Sequence, residues 1–218
     1  MSFISSCLLR RPGNHTILGI PVSMELRRGC SAPQQTVHYR HIPRIFLNNV
    51  LHNPLHTLIH EMGHALTNKW FGNTGVRVNI VLPGNDLTSR GETHVDAYGS
   101  VRGWRDSITL AAGPIASSSF STIQLLAQYA LKNVLPMPIQ GVLGISAAFN
   151  LIDQAQYVIK TALNIQYGDF VEIRKNSLAH LLVASTVFSA VTGIGVAVLA
   201  KGVNHITNSL CSLSLLHC

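Results

Sequence analysis

Residues 55–70 read LHTLIHEMGHALTNKW, and within them His60, Glu61 and His64 stand at i, i+1 and i+4. Asn53 and Pro54 just ahead make a helix start: an Asn side chain caps orphan amides, and Pro suits the first helical position. Phe71-Gly72-Asn73 stops the helix at about Trp70. Leu55, Leu58, Ile59, Met62, Ala65 and Leu66 supply its packing faces. On such a helix His60 and His64 share one face, with β-carbons about 5–6 Å apart. Both imidazoles then reach a single zinc ion at about 2.0–2.1 Å. A zinc held there would lower the pKa of a bound water to about 7, and Glu61 would take its proton. Gly63 removes a side chain where another backbone can approach. The competing reading is a polar helix face with structural histidines, and His52 and His56 extend the same stripe. Against it, Glu61 lies among apolar residues, where an unpaired carboxylate is costly and a metal relieves that cost.

The rest of the chain is poor in charge. Of 218 residues, 47% are hydrophobic and 11% charged, against roughly 25% charged in an ordinary soluble domain. Residues 107–131, 133–152 and 176–200 hold no Asp, Glu, Lys or Arg. A bilayer-spanning helix needs about 20 mainly apolar residues, so length alone predicts three spans and an integral, multi-pass membrane protein in contact with the lipid bilayer. The first run carries Ser117, Ser118, Ser119, Ser121, Gln124 and Gln128, which suit a helix facing other helices. A buried helical core in a soluble protein is the alternative.

The net charge of +7 is concentrated in residues 1–44, which read as a basic, irregular extension with Pro12, Pro21, Pro33 and Pro43. No nucleic-acid-binding module accompanies the basic residues, so nucleic acid is not expected as a partner. A cytoplasmic, membrane-facing segment is the simpler reading. Cys7, Cys30, Cys211 and Cys218 show no metal spacing and no disulfide framework.

Beyond the HEMGH helix the texture alternates over residues 75–82 and 92–98, with the turn cluster Pro83-Gly84-Asn85-Asp86 between. That predicts a small β-hairpin or sheet inserted after the helix. Helices are expected over about 107–131, 137–152 and 177–200. Residues 153–175 read as a more polar, partly helical connection, and 204–218 as an apolar tail. The expected fold is thus mainly α: a polytopic membrane helix bundle, with the membrane-embedded, metalloprotease-like domain over 45–203.

The third ligand sets the class of zinc site. The positions where metzincins place Gly and a third His are Thr67 and Trp70 here. A soluble zinc peptidase would draw on Glu92, the one nearby Glu, but it lies in a strand-like segment. HEMGHAL, then a hairpin, then Leu110-Ala111-Ala112-Gly113-Pro114-Ile115-Ala116, then Ala147-Ala148-Phe149-Asn150-Leu151-Ile152, resembles the site-2 protease family of intramembrane zinc metalloproteases. That family shows an H-E-x-G-H helix, a membrane-associated hairpin, an A-G-P motif and a later F-N-L-L-P…D-G segment. The resemblance covers about residues 50–175.

It implies a zinc metalloendopeptidase (a hydrolase) with Zn2+ held by His60, His64 and an aspartate, Glu61 as catalytic base, and Asn150 helping to position the substrate. The substrate implied is a membrane protein or peptide, cut in or near a transmembrane segment. The chain departs from the pattern at its last element: Asp153 stands where the family has Pro, and no D-G pair follows. The third ligand is therefore Asp169, preferred on the order of elements, or Asp153. The missing D-G pair also fits a second class of protein, a membrane scaffold or regulatory relative that has lost peptidase activity.

Overall fold

The computed structural model describes residues 15–26, 54–82, 90–96 and 103–212. Helix α1 (Pro54–Trp70) has the bounds that its flanking residues predict. Gly72 takes φ +80° just beyond it, and the Asn73 amide closes back on the Asn68 carbonyl at 3.0 Å. Only glycine adopts that left-handed conformation freely, so Gly72 is a C-terminal cap. Asn53 and the 83–86 turn cluster lie outside the described residues.

One face of α1 lies on a sheet. Strands β1 (His15–Ile17), β2 (Ile20–Leu26), β3 (Arg77–Leu82) and β4 (Arg90–His94) follow one another in space in that order. β1–β2 and β3–β4 pair antiparallel, β2–β3 parallel. Leu18 and Gly19, both at positive φ, form the two-residue turn of the first hairpin, the conformation that matches strand twist. Alternation sends Ile20, Val22, Val78 and Ile80 to one side, where they pack with Leu58, Met62 and Ala65 of α1. Each large member of that layer contributes about 1.5–3 kcal/mol of apolar burial.

The opposite side of α1 meets α2 (Trp104–Ala130), which also packs on α3 (Met137–Ala162) and α5 (Leu178–Ser212). The short α4 (Asp169–Asn176) lies between α2, α3 and α5. Ala111, Val158, Phe170, Ile173, Leu181, Ala184 and Phe188 form the core that holds α4, and Leu125, Ala147 and Leu151 a smaller one. Where α1 crosses α2, a β-carbon on Gly63 would strike the carbonyl of Ala112 and stand 2.9 Å from the Ala116 side chain. The glycine is therefore what lets the two backbones touch.

Several expectations are corrected. The chain is not a polytopic membrane bundle: among the described residues only one helix, over Leu178–Gly202, is long and apolar enough to cross a membrane. A run without charge is not thereby apolar. α2 buries Ser107, Ser117, Ser118, Ser121 and Thr122, and α3 runs ten residues past Ile152 through Asp153, Gln154, Gln156 and Lys160, so neither is greasy enough. The β element is a four-stranded mixed sheet and not a lone hairpin. Half of it comes from residues 15–26, where the sequence reads as irregular. The final helix continues to Ser212 in place of a separate tail from 204, and 213–218 lie outside the described residues.

Candidate metal centre

α1 carries His60 and His64 one turn apart, as their spacing requires. Their Nε2 atoms are 3.2 Å from each other. Asp169, the first residue of α4, brings Oδ2 to 3.5 Å from both. These three residues form a group that can hold a metal ion. The geometry passes a simple test: a tetrahedral ion with ligand bonds of about 2.0–2.1 Å separates its ligand atoms by about 3.3–3.4 Å, and the triangle here has sides of 3.2, 3.5 and 3.5 Å.

Second contacts fix the donors. The Thr109 carbonyl lies 2.7 Å from His64 Nδ1. A carbonyl only accepts, so Nδ1 carries a proton and Nε2 is the nitrogen left to face the group, as a ligand once a metal displaces any proton from it. Pro114 sits inside α2, ten residues from its start, and removes one backbone amide from the turn that faces α1. Tyr157 Oη donates to Asp169 Oδ2 at 3.0 Å and accepts the Asp169 amide at 3.0 Å.

The electrostatics follow from packing a carboxylate against two imidazoles. Burial alone would lower the His64 pKa. The hydrogen bond and charge of Asp169, helped by Glu61 and the Thr109 carbonyl, outweigh it and push His64 up to about 9. For Asp169 burial would raise the pKa, but the hydrogen bonds and charges of His60 and His64 hold its carboxyl well below the usual range. Burial, then the Asp169 charge, keeps the Tyr157 phenol protonated well above its ordinary value. The pattern is that of a carboxylate held among donors.

Glu61 is buried beside the group, and β4 holds it. Thr93 donates to Glu61 Oε2 at 2.8 Å and also lies 3.0 Å from the Glu61 carbonyl. A β-carbon at Gly91 would run into the Glu61 side chain, so β4 can pass this close only with glycine there. The group opens on a cleft of about 1200 Å³ lined by His60, Glu61, His64, Gly91, Thr93 and Asp169 among others.

The structure thus brings together His60, Glu61, His64 and Asp169, and leaves Asp153 and Glu92 outside the ligand group and Asn150 outside the cleft lining. Asp153 is exposed on α3 and outside the ligand group. Glu92 lies in β4 with its side chain 73% exposed and pairs with His94 at 3.2 Å. Asn150 is not in the cleft lining. Its amide is buried between helices and donates to Ser121 Oγ at 2.6 Å and Ser117 Oγ at 3.2 Å, so it ties α3 to α2. His56, the other member of the histidine stripe, joins that polar layer: its ring nitrogens stand 3.5 Å from Ser121 Oγ and Ser146 Oγ. Sequence reasoning passed over Tyr157, Thr93 and Gly91. Tyr157 fell in what read as a polar connection, and no motif pairs it with Asp169.

Compared with known proteins, the chain matches no family model, no curated protein and no solved structure.

Proposed function

We propose that the protein is a zinc metalloendopeptidase of the site-2-protease-like kind, acting at a membrane on peptide bonds in or near transmembrane segments. The observation that carries this reading is the convergence of His60, His64 and Asp169 beside a buried Glu61 in one cleft. Two imidazoles and a carboxylate, with room for a fourth ligand, are the donor set of catalytic zinc. When bound, zinc supplies Lewis acidity and an acidic water.

The protein's own groups account for the remaining steps. Glu61, held through Oε2 by Thr93, accepts the proton of the attacking water and passes it to the leaving amine as the C–N bond breaks. β4 is the outer strand of the sheet among the described residues and borders the cleft through Gly91, Glu92 and Thr93. An extended peptide pairing with that edge would be laid across Glu61. The missing D-G pair is no obstacle to the ligand geometry, because Asp169 reaches both imidazoles with Phe170 after it.

Membrane contact rests on two observations. The 25 residues Leu178–Gly202 of α5 can cross a bilayer. The helices also expose large apolar side chains while burying small polar ones: Ile123 is 61% exposed and Phe149 47%, whereas Ser117, Ser118 and Ser121 are fully buried. Exposed large apolar side chains spread over α2, α3 and α5 fit a lipid or protein contact.

The test is zinc quantification and hydrolysis of a fluorogenic peptide by detergent-purified wild type, Asp169→Ala and Asp153→Ala. The expected result is one zinc per wild-type chain, loss of zinc and activity in Asp169→Ala, and retention of both in Asp153→Ala. Zinc retained by Asp169→Ala would remove the ligand assignment. Zinc-loaded wild type that never cleaves would leave the inactive scaffold in its place.

A further inference from the structure

We infer that Tyr157 is the positioning residue of the metal centre: its hydroxyl clamps Asp169 by side chain and backbone at once, and so replaces the D-G turn that this chain lacks. The inference rests on the metal-site reading above and adds to it a residue that no motif supplies.

A tyrosine hydroxyl has one proton to give and two lone pairs. Here the proton goes to Asp169 Oδ2 at 3.0 Å, and a lone pair takes the Asp169 amide at 3.0 Å. That amide opens α4 and has no partner within its own helix. The oxygen that Tyr157 holds is the one that stands 3.5 Å from both His60 and His64. A single hydroxyl therefore sets the rotamer of the ligand and the place where its helix begins.

The neighbours on either side of Asp169 are fitted to this clamp. A β-carbon on Gly168 would lie 2.5 Å from Tyr157 Oη and 2.9 Å from its Cζ, so glycine lets the chain lie flat on the phenol. Phe170 is fully buried and meets Phe188 of α5 edge-on, with ring centroids 6.2 Å apart. The Tyr157 ring also meets His60 edge-on at 6.2 Å, which places the phenol between two ligands. Asp169 is thus fixed by glycine before it, a phenyl anchor after it, and the hydroxyl across from it. A glycine after the aspartate would supply no such anchor.

The decisive variant is Tyr157→Phe, which keeps the ring and deletes the hydroxyl. Partners of metal ligands are typically worth 10–100-fold in metal affinity, and that is the loss of zinc affinity expected by chelator competition. The visible spectrum of the cobalt-substituted protein should change in intensity and position, because the carboxylate is no longer held. The metal-free variant should keep the wild-type near-ultraviolet circular dichroism. Gly168→Ala, which pushes the loop off the phenol, should weaken zinc in the same direction. A Tyr157→Phe protein with zinc affinity within about twofold of wild type and an unchanged cobalt spectrum overturns the inference while leaving the metal site intact. A metal-free variant that loses its near-ultraviolet signal overturns it too, since Tyr157 is then a structural brace. Failure of wild type itself to bind zinc overturns the metal-site reading and this inference together.

Discussion

Gly113 lies directly against His64. A β-carbon there would overlap the His64 Nε2 atom and come within 2.8 Å of His60 Nε2. The A-G-P segment is thus the wall behind the ligand pair. Gly113→Ala is expected to displace both imidazoles and cut zinc occupancy, measured by metal analysis. Gly63→Ala, which drives α1 off the Ala112 carbonyl, should destabilise the fold by about 1–3 kcal/mol, as overpacking does, read by thermal melting. Gly141, with nothing near its missing β-carbon, is the control: alanine there should be neutral or stabilising by up to about 1 kcal/mol.

Glu61→Gln separates metal binding from turnover. The amide keeps the size of the side chain and leaves His60, His64 and Asp169 untouched, so zinc content should equal that of wild type. Hydrolysis should fall by about 100-fold or more, because a general base contributes that much. Thr93→Val removes the hydrogen bond to Oε2 and should lower kcat by about tenfold, equal to about 1.4 kcal/mol of barrier. A Thr93→Val protein that cleaves as fast as wild type would detach β4 from the proposed chemistry.

His56 makes stability depend on pH. Burial pushes its pKa down to about 4, while an unfolded histidine titrates near 6.5. Above pH 6.5 both states are neutral and nothing changes. Between about 6.5 and 4 the unfolded chain takes up a proton that the folded chain refuses, so stability falls as pH falls, by up to about 3 kcal/mol. His56→Gln should flatten that part of the melting profile. Equal slopes for the two proteins would show that His56 is not the group responsible.

The N-terminal strands are a working part of the fold. Ile20 and Val22 are almost fully buried against α1 and β3. Ile20→Ala should cost about 2–5 kcal/mol, measured by denaturant unfolding, although residue 20 is outside the metal-holding group and the cleft lining. A change under 1 kcal/mol would mean that β2 can leave the sheet without consequence.

What could be read beforehand follows from where the signals lie. α1 was legible to the residue because Pro54 and Gly72 punctuate it. β3 and β4 were legible as an alternating pair, shifted at β4 from 92–98 to 90–94. β1 and β2 are not, because Pro21, which pairs with Thr16 of β1, argues against a strand, and β3, the parallel partner of β2 from Val22 onward, lies beyond α1 in sequence. α3 reads as ending at Ile152 because the residues beyond it, Asp153, Gln154 and Gln156, are polar. Its turn comes after Ala162, where Asn164 takes φ +60°. The missing D-G pair leaves both Asp169 and Asp153 open in the sequence; with α3 carried on to Ala162, Asp153 sits mid-helix and exposed, and Asp169 arrives at the next helix start.

The ligand set is split across the chain, two members on the first long helix and one on the fourth. A nascent polypeptide leaving the ribosome therefore carries a bare pair of imidazoles through the synthesis of α2 and α3. Only when α4 docks is the triad complete. A metal group assembled in this order waits on the folding of all the chain between His64 and Asp169.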